Sequence, residues 1–396
     1  MHIPQRGGLC PTCKLQAHQG RPCPFVHILS RDLSGIKDFM STSPPTIFVG
    51  RYNYPDVNVG VMSPINYEGD IATLDNHYTW FKQGLGVSEI AALRGELINS
   101  RITSNVKRAQ KTVGTFQELA MAKKETDLEI HLKKSIAYHP QTFANAAPMG
   151  PNVELKTVRL AENVRVLKPI EKAYYDIDLR ATDALGMLYK KGIDELKLAR
   201  ILSGGILGVK TQRKLVPTRW SITAVDDTLG KQMIHNIKAF PGIDEYRVFF
   251  GSQLGNHYAI VLMPGPWSYE LFEFFENPHR GFTTDYESPF GRTSYASQTA
   301  GGYYAARLAI LDYLQKNKRC ARALVLRKIT RDYFLPLGVW QVRENMRKAF
   351  NFERRFDTLE SGLLYAKTLL GIDPTPVLNA SKLIAAHKQP TLNTYF

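Results

Sequence analysis

The sequence is poor in cysteine, with four in 396 residues. That is too few, and too unevenly placed, for the disulfide framework of a small secreted domain. It has no run of about 18 apolar residues able to span a bilayer, and no hydrophobic segment follows its first charges as a secretory signal would require. A cytoplasmic protein, with no membrane partner, is the expectation. The chain is also short of acid: Asp+Glu number 36 against Lys+Arg 51, for a formal charge of +15 and a pI near 9.5. Such a balance points to a polyanion, nucleic acid ahead of anionic membrane. With 44% hydrophobic and 22% charged residues, bulk disorder is excluded. The length allows one large domain with appendages, or two domains.

Three of the four cysteines crowd near the start. Cys10, Cys13, His18 and Cys23 form C-x2-C-x4-H-x4-C, the spacing of a zinc knuckle in which two short loops wrap one tetrahedral ion. Thiolates and an imidazole suit Zn2+, a borderline-soft ion that imposes no geometry of its own. Residues 1–30 therefore read as a zinc module serving structure before nucleic-acid reading, although Lys14 and Arg21 could touch phosphate. His27 follows Cys23 by four positions and competes with His18 as the fourth ligand. Cys320 reads as an isolated structural thiol.

From Ser43 the patterning becomes that of a mixed α/β (α+β) domain over residues 31–372, with one large mixed sheet. Short apolar strands are expected at 46–49 and 57–61, and helices near 88–97, 107–124, 181–189 and 194–202. Alternation at Val153, Leu155, Val158, Val164 and Val166 suggests a hairpin. Then come a strand over 215–224, a helix over 226–239, a hairpin over 246–263 and a helix bearing Glu270 and Glu273. A helix over 303–314, a strand over 323–329 and helices across 339–370 close the domain. Between Lys316 and Arg355, twelve Lys and Arg face three acids, so a basic C-terminal surface is expected.

Residues 373–396, with two prolines near their start and an isolated short apolar helix candidate around Leu383 to Ala386, read as a flexible tether rather than core. The chain ends in Gln389, Pro390, Thr391, Leu392, Asn393, Thr394, Tyr395 and Phe396, which resembles the peptide by which many replication and repair proteins bind the sliding clamp PCNA. In one 3₁₀ turn residues three apart eclipse, so Leu392 and Tyr395 project together with Phe396 beside them, and Gln389 serves polar groups at the pocket's edge.

Chemistry in the central domain is less sharply marked. Asp226 and Asp227, with Glu270 and Glu273, could gather Mg2+ for phosphodiester or nucleotide hydrolysis. The competing reading makes the aspartates helix caps and leaves the glutamates on a solvated face. Arg219 beside Trp220 in an apolar stretch needs a phosphate, a carboxylate or an aromatic face. The stretch 203–211 resembles a phosphate loop but fails its spacing, because Val209 separates Gly208 from Lys210. Gly301-Gly302 before a helix could offer backbone N–H groups to an anion, or simply allow close packing.

Four passages carry a wider resemblance. They are Ser43-Pro44-Pro45 leading to Phe48-Val49-Gly50-Arg51; Leu215-Val216-Pro217-Thr218-Arg219-Trp220-Ser221 through Asp226-Asp227; Tyr295-Ala296 with Gly301-Gly302-Tyr303-Tyr304-Ala305-Ala306-Arg307; and Pro336-Leu337-Gly338-Val339-Trp340 with Arg343-Glu344. Together they resemble the archaeal Nre family of DNA repair proteins over nearly the whole chain. The resemblance implies a role in the DNA damage response alongside nucleotide excision repair proteins, with PCNA and DNA as partners and a nucleoid association. It also implies a metal cluster in which His18 stands where members of that family often have a fourth cysteine. Two alternatives remain at this point, a metal-dependent nuclease or nucleotide hydrolase, and an RNA-binding accessory protein.

Overall fold

The computed structural model describes residues 9–15, 18, 20–137, 148–276 and 281–389. The chain divides into two compact units: Met1–Leu229 with Phe334–Gly338, and Gly230–Tyr333 with Val339–Phe396.

In the first unit the order is α1 (Val26–Leu29), β1 (Asp38–Ser43), β2 (Ile47–Val49), β3 (Asp56–Ser63), α2 (His77–Gln83), α3 (Val87–Gly95), β4 (Ile98–Asn105), α4 (Thr112–Met121), β5 (Thr126–Leu132) and β6 (Asn152–Leu160). Then follow α5 (Lys168–Tyr175), α6 (Ala181–Lys190), α7 (Glu195–Ser203) and α8 (Thr218–Ile237), which continues into the second unit. The strands form a six-stranded sheet in the order β1-β5-β6-β4-β3-β2, antiparallel except for β4 with β6. Val57, Val59 and Val61 on β3 are fully buried, as strand alternation predicts. The expected hairpin at 153–166 is instead the single strand β6, paired with β5 and β4, and Val166 makes only an isolated bridge to Ala122.

The stretch 215–224, expected as a strand, is helix from Thr218 onward. Pro217 needs no donor and presets the backbone for a helix start, and Ser221, Val225, Leu229, Met233 and Ile237 recur every four residues as a buried stripe. The apolar character that suggested a strand does not outweigh that stripe.

The second unit contains β7 (Tyr246–Gln253), β8 (Asn256–Met263), β9 (Ser268–Phe275), β10 (Phe282–Glu287), α9 (Gly301–Asn317), β11 (Arg322–Ile329), α10 (Trp340–Ala349), β12 (Glu353–Phe356), α11 (Leu359–Leu370), α12 (Thr375–Ala380) and α13 (Lys382–Lys388). Its sheet runs β10-β9-β11-β8-β7-β12, parallel only between β9 and β11. One face buries Val248, Ala259, Val261, Phe272, Leu324 and Leu326 against Leu363, Ala366, Val377, Leu383 and Ile384 of α11 to α13. On the other face Phe249 meets Tyr313 of α9 and Phe350, and Tyr258 reaches Gln341 of α10. A sheet covered on both sides explains why β8 reads as an almost unbroken apolar run.

Two expectations change here. The helix expected to carry Glu270 and Glu273 is strand β9, whose Tyr269, Phe272, Phe274 and Phe275 favour a pleated surface. The segment expected to begin a tether at 373 instead carries α12 and α13, whose Val377, Leu383 and Ile384 are core residues.

Candidate functional site: an N-terminal metal centre

Cys10, Cys13, His18 and Cys23 converge so that their ligand atoms all lie within 4.8 Å of one another. Local geometry explains how. Lys14 takes a positive φ of 59° and Gly20 one of 83°, and the N–H of Cys10 bonds the carbonyl of Leu15 at 2.6 Å while that of Lys14 bonds the carbonyl of Cys10 at 2.9 Å. The loop thereby folds both thiols inward. Burial raises the Cys10 thiol, but N–H groups of Cys13 and Thr12 aimed at its sulfur outweigh that and leave it below the ordinary value. Burial pushes Cys13 up to about 12 and also raises Cys23, so those thiols would become ligands by losing protons to a metal. Burial lowers the pKa of His18 and so favours the neutral ring whose nitrogen can bind metal, and its Nε2 lies 3.3 Å from Cys13 Sγ. That separation suits two ligands on a tetrahedral ion with bonds of about 2.0 and 2.3 Å.

The competing ligand is placed elsewhere. His27 lies on α1 with its side chain 82% exposed and its Nδ1 3.9 Å from Glu96 Oε1. His18 packs edge-on to Phe334 at 6.1 Å, and the Arg21 guanidinium lies 5.0 Å above the same ring. The Phe334–Gly338 segment thus returns to support the metal loop within the first unit. Among the described residues, this cluster is the one group of three or more His, Cys, Asp or Glu side chains close enough to share an ion.

The carboxylates proposed for Mg2+ are placed differently. Three residues apart on a strand, Glu270 and Glu273 project to opposite faces. Glu270 accepts from Ser381 Oγ at 2.5 Å and from the N–H groups of Leu383 at 3.0 Å and Lys382 at 3.3 Å, so it receives the N-terminus of α13. Glu273 pairs with Arg327 at 2.5 Å, both fully buried. A side chain at Gly302 would come within 3.1 Å of its Oε1; the glycine pair admits the protein's own carboxylate beside the start of α9. Asp226 is buried and Asp227 half-buried in the middle of α8, and both, like Arg219, are engaged with neighbours.

The basic run is also more internal than its composition suggested. Arg327 and Arg343 are buried, Arg347 pairs with Asp312 at 2.8 Å and Glu344 at 3.0 Å, and Lys328 Nζ donates to the carbonyl of Leu370. Of the terminal residues expected to bind a clamp, Gln389 is exposed at the end of α13; Leu392, Tyr395 and Phe396 lie outside the described residues.

Two polar constellations escaped sequence reasoning. Glu287 accepts from Trp267 Nε1, Tyr303 OH and Arg307 Nη1 at 3.0, 3.0 and 2.6 Å, with Arg307 also over the Tyr303 and Tyr304 rings. In the first unit a cleft of about 250 Å³ is lined by Asp75, Tyr78, Lys123, Lys197 and Arg200 among others. There Lys197 Nζ donates to the carbonyls of Ala120 and Ala122 at 2.7 and 2.5 Å, and burial lowers its pKa to about 7. Burial would raise Asp75, but Arg94 and Arg200 hold it below the ordinary range. Only the helical repeat that buries Lys197 with Leu198 and Ile201 could have signalled the cleft.

Fold and site define a two-unit α+β protein with a Cys3His cluster able to hold a metal ion such as zinc. The chain belongs to the archaeal Nre family: "Archaeal Nre, N-terminal" matches residues 21–279 and "Archaeal Nre, C-terminal" residues 287–395. It is similar to the DNA repair protein NreB of Archaeoglobus fulgidus, 38% identical over 93% of this chain and 95% of that one. The DNA repair protein NreA of Haloferax volcanii is 38% identical over 78% of this chain and 77% of its own length. NreA of Archaeoglobus fulgidus is 35% identical over 90% and 92%. No solved structure matches the chain. The N-terminal match begins after Cys10, Cys13 and His18.

Proposed function

We propose that this protein acts in DNA repair, held at DNA through the sliding clamp PCNA by its terminal peptide and cooperating with nucleotide excision repair proteins. The observation that carries the repair role is the identity of 35 to 38% with proteins named for DNA repair, two of them matched over nine-tenths of the chain. The clamp assignment is supported by the spacing of Gln389, Leu392, Tyr395 and Phe396 and by the docking of α13, which ends at Lys388 and leaves Gln389 exposed. Tethering to a clamp raises the local concentration at DNA without tight intrinsic affinity. The Cys3His cluster would hold Zn2+ and so order residues 9–23, a folding role.

Removing residues 389–396 is expected to abolish PCNA binding in calorimetry while leaving the circular dichroism and melting of the chain unchanged. Clamp affinity that survives the truncation would overturn the assignment. The hydrolase reading has less support, since Glu270 and Glu273 face opposite sides of β9 and each is bonded to the protein itself.

A further inference from the structure

Four tryptophans occur in the chain; Trp80, Trp267 and Trp340 are buried, while Trp220 is 45% exposed. It stands in the first turn of α8, fixed because Thr218 Oγ1 accepts the N–H of Val49 at 2.9 Å. Its indole packs 5.3 Å from the Tyr54 ring at 49°, and Tyr54 is itself 43% exposed. Two residues away Tyr52 is 69% exposed, with the Arg51 guanidinium 4.9 Å above its ring. The β3–β4 ladder brings more charge to the same end of the first unit's sheet. Asp56 pairs in register with Asn105, and the N–H of Val106 bonds the carbonyl of Pro55 at 2.9 Å. Exposed Lys107 and Arg108 follow directly, their N–H groups held by Asn105 Oδ1. The acid in this turn, Asp56, already accepts from Asn105 Nδ2 at 2.8 Å.

Three exposed aromatic rings with three exposed cations on neighbouring loops form neither a core nor an ion-pair network. We propose that this end of the first unit binds single-stranded DNA, with bases stacking on Trp220, Tyr54 and Tyr52 and phosphates meeting Arg51, Lys107 and Arg108. Aromatic faces beside a cationic track are how sequence-tolerant single-strand sites are built. A duplex hides its base faces, so the exposed rings favour an unpaired strand. The inference rests on the DNA repair reading and adds to it the form of DNA and the surface that takes it.

The test uses the full chain and a fluorescein-labelled oligo-dT of about 15 nucleotides, a length within single-strand site sizes, in roughly 50 mM salt where phosphate contacts are strongest. Anisotropy is expected to show binding, and the unlabelled oligonucleotide should quench the emission of the one exposed indole. Trp220→Ala and Tyr52→Ala should each weaken binding roughly tenfold, and Trp220→Phe should restore most of the loss. Combined Arg51→Ala, Lys107→Ala and Arg108→Ala should flatten the log–log salt dependence by about 2. Undiminished binding by both alanine variants would place the strand elsewhere and overturn the site while leaving the repair reading intact. Preference for duplex or RNA competitors, or no binding of any oligonucleotide, would overturn the choice of single-stranded DNA. The clamp measurement on the same preparation reports separately on the proposed function.

Discussion

At the scale of single residues, the metal ligands and buried charges make separable predictions. Metal analysis after dialysis is expected to give one zinc per chain in the parent protein, lost in Cys13→Ser and weakened in His18→Ala. His27→Ala should keep full occupancy, because that ring points to solvent and Glu96. Lys197 gives a pH signature. Its folded pKa of about 7 lies below the ordinary 10.5, so between those values the unfolded chain holds more protons and stability rises with pH. Relative to Lys197→Met, the parent protein should gain about 2 kcal/mol of unfolding free energy from pH 7 to pH 9, read from denaturant titrations. Arg307→Met leaves Glu287 buried with Trp267 and Tyr303 as donors but without its countercharge. It should cost about 3 kcal/mol or more, and adding Glu287→Gln should recover part of that loss.

At the scale of elements, α13 depends on a contact with a distant strand. Ser381 caps the helix by accepting the N–H of Ile384 at 3.0 Å and donates a hydrogen bond from its own hydroxyl to Glu270 at 2.5 Å. Tyr246 OH meets His387 Nε2 at 2.9 Å near the other end. Glu270→Ala should therefore speed amide exchange in residues 382–388 by about tenfold, with the sheet amides of β8 and β11 unchanged. These elements also show what a sequence can display. The hairpin of β7 and β8 was legible because Gly255-Asn256 interrupts the strand pattern over 246–263. Helices α6 and α7 were legible from apolar spacing and the Gly192 break between them. Strand β9 was misread because Glu270 and Glu273 suggest a helical face when seen alone, and only the partners Ser381 and Arg327 reveal two faces. The cysteine cluster was legible because its ligands lie within fourteen residues. The support from Phe334 was not, since more than three hundred residues separate it from His18.

At the scale of the whole molecule, the chain's excess charge is not simply a surface. Part of the basic run neutralises buried carboxylates and caps carbonyls, as Arg327 and Lys328 do. Net charge alone thus overstated how many cations can meet a polyanion. The two family matches also divide the chain differently from the folded units. The N-terminal family match ends at residue 279 and the C-terminal match starts at 287, whereas β9 and β10 on either side belong to one sheet, and β11, from the second half, inserts between β9 and β8. A protein expressed only to residue 279 would lose β10, β11 and β12, leaving β9 without either neighbour and opening one edge each on β8 and β7, with their backbone groups seeking any other chain. Splitting such a gene at its apparent seam would yield aggregating fragments, and two-piece complementation would require both pieces to be made together.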